Sequence, residues 1–210
     1  DATTDSNQFK FGDSSAHFDG TGDDLTIPDH ADWDFPDDYT VDAWVRWSSF
    51  SGQQSIIART DGADGTAFRI GTDGTNFFVV HDVNQYPAAT TIAAAGLVIN
   101  NWHHIAATRR GSTVRLFVDG VQVASGTDST NLSFATQISI GSRHYNASTD
   151  SYFNGWIDEL RISKGIARWT SDFSNHLPSE YQDSDDNTKL LLHFNGTRYE
   201  EKWVTYANPN

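Results

Sequence analysis

The amino-acid sequence predicts an all-β fold, an antiparallel two-sheet sandwich with minimal helix. Three observations predict it. Short alternating segments recur along the chain, separated by Gly, Asp, Asn and Ser. Apolar spacing at the helical period is nearly absent. Asp119-Gly120 stands between the alternating stretches STVRLFV and VQVAS, a strong hairpin signal.

The elements follow in order. Val41, Ala43 and Val45 share one face of a strand, and Asp42, Trp44 and Arg46 share the other. Val114, Leu116 and Val118 repeat the pattern. Residues 77–82, 138–140 and 156–162 supply further strands. LLLHF (190–194) is a continuous apolar run, as expected of a strand buried on both faces. Ile92 to Ile99 is apolar but short and reads as loop or strand. Gly165 to Ser171 has room for one helical turn. The best boundary is the acidic stretch Asp183 to Thr188. One domain is therefore expected over 1–196, closed by strand 189–195, with a C-terminal tail over 197–210. Tyr199, Trp203 and Tyr206 in that tail are candidates to dock on the domain.

Length and composition narrow the class. A sandwich of 210 residues commonly folds as one unit, and an aromatic content of 13% is far above that of a disordered acidic chain. The formal net charge is -14. Nucleic acid is thus an unsuited partner, because phosphates need a basic footprint. Anionic membrane surfaces are disfavoured for the same reason, and no apolar run reaches the length of a membrane span. The absence of cysteine removes disulfides, thiolate metal sites and Cys nucleophiles. The sequence contains no Met and begins at Asp1, as expected of a processed precursor or a piece of a longer protein.

Several segments, in their order, carry a family resemblance. They are KFGDSSAHFDGTGDDLTIPDHADWDF (10–35), YTVDAWVRW (39–47), NWHHIAATRRGSTVRLFVDGVQVAS (101–125), ISIGSR (138–143), FNGWIDELRISKGIARWTSDF (153–173) and LLLHFNG (190–196). The set resembles LamG-like jelly-roll domains of the concanavalin A-like lectin/glucanase superfamily, in a form similar to modules of phage tail fibres and bacterial surface proteins. The resemblance implies a concanavalin A-like jelly roll with Trp44, Trp102 and Trp156 as framework residues. Trp47 and Trp169 have no assigned place. In such modules the LLLHF-type segment usually comes first, whereas here it closes the chain. Two arrangements follow. The last strand completes its own sheet, or it is exchanged with another subunit by β-augmentation.

The resemblance also implies a structural calcium ion, Ca2+, with Asp158 supplying a carboxylate. The turn at Asp19 and Gly20 would supply main-chain oxygen, with Asp24 nearby, in keeping with the hard oxygen ligands calcium prefers. The competing reading makes Asp19-Gly20 a plain turn and Asp158 a backbone cap. The stretch at Asp183, Asp185 and Asp186 fails as an EF-hand, since Phe194 stands where the bidentate Glu belongs.

Catalysis is not expected. Retaining glucanases of the superfamily show a Glu-x-Asp-x-Glu pattern, which places carboxylates on one face of a strand. Here Asp158 and Glu159 are adjacent, and the other glutamates, Glu180, Glu200 and Glu201, fall in loop or tail. Serine-hydrolase, zinc-protease and phosphate-loop motifs are also missing. His103 and His104 are expected to pack or cap their strand.

Binding remains. Aromatic, amide, carboxylate and imidazole groups on loops suit sugar recognition. Asn84 and Tyr86 form one such cluster; His144, Tyr145, Asn146, Asp150 and Tyr152 form the other. The expected function is a non-catalytic, lectin-like binding or adhesion module recognising glycans or cell-surface polysaccharide. Its expected location is extracellular, on a cell surface or virion. The alternative is a structural subunit of an extracellular filament or virion assembly, self-associating through residues 189–195.

Overall fold

The computed structural model describes residues 2–60, 66–82, 85–145, 148–180 and 185–196. The strands are β1 (Thr3–Asp5), β2 (Ser15–Asp19), β3 (Leu25–Ile27), β4 (Tyr39–Trp47), β5 (Gln54–Thr60), β6 (Thr66–Thr72), β7 (Asn76–His81) and β8 (Gln85–Thr91). They continue as β9 (Trp102–Arg110), β10 (Thr113–Val118), β11 (Val121–Thr127), β12 (Ile138–Ile140), β13 (Arg143–Tyr145), β14 (Ser148–Asp150), β15 (Asn154–Lys164) and β16 (Thr188–Leu192). Single 3-10 turns cover Ala31–Trp33 and Ser174–His176. No helix among the described residues is long and apolar enough to cross a membrane. The stretch 165–171 forms no helix, contrary to expectation. It runs over a sheet, where Trp169 stacks on Phe173 at 4.2 Å between ring centroids. Residues 92–100 form turns rather than a strand.

The first sheet has the order β1-β2-β15-β4-β9-β10-β11, with β16 also paired to β15. The second has the order β3-β12-β5-β6-β7-β8, and β13 and β14 form a separate hairpin. Alternation sends one face of each strand into the space between the sheets. Val41, Ala43, Val45 and Trp47 enter it from β4, Phe68 and Ile70 from β6, Phe77 and Val79 from β7. Trp47 is fully buried there, edge-on to Phe77 and tilted against Phe50.

β15 organises the first sheet. One edge pairs with β4 along its length. The other edge is shared: β2 pairs with residues 154–157 and β16 with residues 160–163. β16 is thus supplied by the same chain and lies in line with β2. At the junction, Asp158 faces Trp44 while Arg161 faces Asp42, so β15 carries one extra residue. Such a bulge breaks the two-residue alternation locally, and Glu159 adopts a left-handed φ of 51°. The extra residue lets Ile157, Leu160 and Ile162 all point inward.

The junction is also charged. Glu159 is fully buried and contacts His193 Nδ1 at 2.7 Å. That contact raises the His193 pKa above its ordinary value against the opposing effect of burial. A histidine whose folded pKa is raised contributes stability in full below its unfolded value, near pH 6.5, and loses it as pH rises through the folded value. Asp158, which burial pushes up to about 7, loses its contribution in the same direction between its unfolded value and the folded one, in wild type and in a His193 variant alike. His81, which burial pushes down to about 4, changes only on the acid side of pH 6.5. Between neutral pH and pH 9 the melting temperature should therefore fall in the wild type and stay flatter in His193→Gln. Equal slopes in thermal melts of the two proteins would contradict this assignment.

Candidate functional site

The outer face of the first sheet positions the site. Antiparallel pairing places side chains in rungs across the strands. Beginning at the β10 end, one rung holds Arg161, Asp42 and Ala106, with Phe117 opposite Ala106. The next holds Asp158, Trp44 and His104. The following rung holds Thr3, His17, Trp156, Arg46 and Trp102 in direct register. Two residues further along each strand or its extension stand Asp19, Asn154, Ser48 and Asn100.

Two chain segments roof the first two of these rungs. Residues 10–11 lie over Trp44. The Phe11 ring meets the Trp44 ring edge-on at 5.8 Å, and Lys10 Nζ sits 4.0 Å from the Trp44 ring centroid. Residues 166–173 lie over Asp42 and His104. Trp169 and Phe173 meet the His104 ring edge-on at 5.5 and 5.7 Å, and the Trp169 carbonyl accepts from Thr108 Oγ1. Under this roof Asp42 is fully buried. Both its oxygens accept from Arg161 at 3.1 Å, and His104 Nε2 lies 3.3 Å from Oδ2. Burial opposes the Asp42 charge, yet Arg161 and His104 hold the carboxyl below its usual range.

The roof stops before the third rung. His17, Trp156, Arg46 and Trp102 are all half-buried. Trp156 lies 4.9 Å from the His17 ring and has the Arg46 guanidinium 4.8 Å from its centroid. Its indole N–H donates to Asp5 Oδ2 at 2.9 Å. Arg46 Nη1 makes a long 3.4 Å bond to Asn100 Oδ1. The result is a row of half-buried planar groups, followed by a row of polar side chains. Gly155 makes it possible: a Cβ there would meet the Arg46 carbonyl oxygen at 2.1 Å, so β4 and β15 could not approach. Trp44, Trp102 and Trp156, the framework residues expected in the core, therefore all belong to this outer face, Trp44 beneath the roof and the other two beyond it. They share the parity of Arg46, and the inward positions are taken by Val45, Ile157 and Ile105.

The loop clusters read from the sequence lie away from this face, Tyr86 on β8 of the second sheet and His144 and Asp150 on the separate β13–β14 hairpin. Tyr86 is 52% exposed and meets Phe78 edge-on at 5.2 Å. Asp150 accepts from Arg143 Nε and Nη2 at 2.9 and 2.7 Å. Both Tyr86 and Asp150 act electrostatically on Arg69, a buried residue on β6 whose pKa burial pushes down to about 10. The structure thus brings Tyr86 and Asp150 toward one cation that pattern reading passed over. His144 instead pairs with Asp24 through Nε2, and Tyr152 is half-buried ahead of β15. Asn84, Asn146 and the Tyr145 side chain lie outside the described residues.

The expected calcium ligands are not brought together. Asp19 pairs with Asn154, four residues from Asp158, which is about 13 Å along a strand. Asp158 Oδ2 accepts from the Lys10 and Phe11 N–H groups at 2.8 and 3.1 Å, and Oδ1 from Glu159 N–H at 2.9 Å. Both oxygens are thus occupied by backbone N–H donors, and burial further disfavours the charge that a cation would need. Asp19 Oδ1 accepts from the Thr21 N–H and hydroxyl, Asp24 is paired with His144, and Gly20 takes a left-handed φ of 90° in the turn. No group of three or more metal-ligating side chains occurs among the described residues. The set Asp19, Gly20, Asp24 and Asp158 does not fit the ion. Asp158 instead pins the N-terminal roof.

Fold and face together define a two-sheet β-sandwich of the lectin type. A laminin G family model described as concanavalin A-like lectin/glucanases superfamily matches residues 19–168, and the chain belongs to that family. No curated protein matches by sequence. Among solved structures, domain 4 of the extracellular arabinanase AbnA from Geobacillus stearothermophilus, in complex with arabinotriose, aligns with a TM-score of 0.59 at 20% identity, covering 77% of this chain and 74% of that one. A putative carbohydrate binding protein from Bacteroides ovatus aligns with a TM-score of 0.66 at 18% identity, over 92% of this chain but only 55% of its own. The binding domain of botulinum neurotoxin DC, in complex with SialylT, gives 0.54 at 14% identity, over 77% of this chain and 40% of that one. At these identities the likeness is one of fold.

Proposed function

We propose that this domain is a non-catalytic, lectin-like module that binds saccharides at the open end of the first sheet's outer face. The observation that carries the reading is the interrupted roof. The same chain that buries Trp44, His104 and Asp42 under two segments leaves His17, Trp156, Arg46 and Trp102 accessible. Planar groups with apolar bodies and polar edges suit a sugar, which presents C–H patches beside hydroxyls. Asn100, Asn154 and Ser48 stand one step away to bond those hydroxyls. Structures of the same fold with arabinotriose and SialylT support a glycan partner, and the extracellular arabinanase supports an extracellular setting. The carboxylates point away from glycosidase chemistry: Asp158 is engaged by backbone and Glu159 by His193.

A glycan array tests the reading, with wild type compared against Trp102→Ala and Tyr86→Ala. Trp102→Ala is expected to lose binding about tenfold or more, as removal of an aromatic anchor does, while Tyr86→Ala keeps it. The reverse pattern would move the site to the β7–β8 side. Silence of the wild type across the array would overturn the reading.

A further inference from the structure

We infer that the saccharide carries an anionic group, a carboxylate or a sulfate, and that Arg46 receives it. The inference rests on the proposed binding role of the open rung and adds the class of ligand.

Five of the other arginines give the contrast, while Arg69 is buried against the Gln54 and Thr72 carbonyls and Arg110 and Arg115 stand toward the other end of the sheet, away from the open rung. Arg59 holds Asp29 and Asp34, Arg143 holds Asp150, Arg161 holds Asp42 and Arg168 holds Asp185. Arg109 is buried and spends its donors on the Phe35, Asp37 and Thr130 carbonyls. Arg46 differs in each respect. It is half-buried at an open surface, has no carboxylate partner among the described residues, and makes one long hydrogen bond to Asn100. In a chain of net charge -14 an uncommitted guanidinium is conspicuous, because carboxylates outnumber cations two to one.

Its setting is also built. The Arg46 guanidinium carbon lies over the Trp156 ring, 4.8 Å from its centroid, a cation–π contact that restrains the side chain at the open rung. A planar fork held this way matches a carboxylate or sulfate edge with two parallel hydrogen bonds. His17 lies beside Trp156 in the same rung, and the Lys10 ammonium stands over Trp44 in the neighbouring rung, a second cation on this face. The nearby carboxylates are held by hydrogen bonds on the His17 side of the rung, away from the Asn100 side of Arg46: Asp5 accepts from Asn7 and from the Trp156 indole, Asp23 from the Asp19 N–H, and Asp19 from Thr21. An acidic sugar thus finds a cation beside the Trp156 ring and in register with Trp102, with amides at the next rung for its hydroxyls.

The experiment is a binding titration of the whole domain with matched oligosaccharides: oligogalacturonate, its neutral galactan counterpart and a sulfated galactan. Wild type, Arg46→Ala, Arg46→Lys and Trp102→Ala are compared. Wild type should bind at least one anionic oligosaccharide about tenfold more tightly than the neutral one, and more weakly as salt is raised. Arg46→Ala should erase that preference, and Arg46→Lys should restore only part of it, since an ammonium lacks the planar fork. The ratio of uronate to sulfate binding names the anion. Equal binding of neutral and acidic chains, unchanged in Arg46→Ala but lost in Trp102→Ala, would overturn the anionic ligand and leave the saccharide site standing. Failure to bind any of the three would overturn the inference. Unchanged thermal melts of the Arg46 variants separate lost recognition from lost fold.

Discussion

Replacing Asp42 by alanine is expected to destabilise the domain by about 3–5 kcal/mol, the cost of leaving a buried charge without its partner. Asp42 has no exposed surface and Arg161 very little, and the two meet through a pair of 3.1 Å bonds beneath Trp169. The aromatic lid that excludes water from the pair also removes the solvent that could compensate Arg161 alone. Taking both charges away is a different change. In Asp42→Leu/Arg161→Met the buried ions are gone together, and an apolar pair of similar volume is often neutral or even stabilising. Urea unfolding at pH 7 should therefore show a large drop in midpoint for Asp42→Ala and substantial recovery in the double variant. The wild-type carboxyl is held below its usual range, so its contribution is present above about pH 4 and is lost as pH falls through the folded value. A single variant as stable as wild type would contradict the buried ion pair.

Removal of β16 is the second large effect. Leu190, Leu192 and Phe194 are buried in the central core, and the Phe194 carbonyl accepts from Ser14 Oγ at 2.7 Å. Gly196 N–H donates back to the same hydroxyl at 3.2 Å. Three large apolar side chains at about 1.5–3 kcal/mol each are a large share of the roughly 5–15 kcal/mol stability of an ordinary domain. A chain ending at Asn187 also leaves residues 160–163 of β15 without a partner on one edge. It is expected to lose its cooperative melt and its dispersed amide spectrum. Supplying residues 188–196 as a peptide should restore both, because the peptide can pair with residues 160–163 of β15 and return the missing apolar side chains as the sheet folds. A truncated chain that melts like the full one would show that β16 is dispensable, and would contradict its place in the core.

Much of the sandwich was readable from residue order. Alternation located β4, β7, β10, β12 and β15, and Asp119-Gly120 located the turn between β10 and β11. Even the bulge left a trace: Ile157 and Leu160 are three apart where a regular strand has two, which signals one extra residue. The site was less readable, for a definite reason. His17, Arg46, Trp102 and Trp156 come from four strands scattered over 140 residues, and only inter-strand register makes them neighbours. Alternation did place Arg46 opposite Val45, but it carries no information on which strand lies beside it or what covers the face. The resemblance drew Trp102 and Trp156 into the framework, while short polar loops drew attention to Tyr86 and Asp150. The calcium set failed on distance. Asp19 and Asp158 belong to neighbouring strands, but at different rungs.

The most direct measurement is an amide and indole chemical-shift map of the labelled domain, titrated with the tightest-binding oligosaccharide from the array. The open rung predicts that the largest shifts fall on the Trp102 and Trp156 indole N–H signals and on the backbones of His17, Arg46 and Asn100. Shifts confined to Tyr86 and the β13–β14 hairpin, with both indoles unmoved, would contradict it.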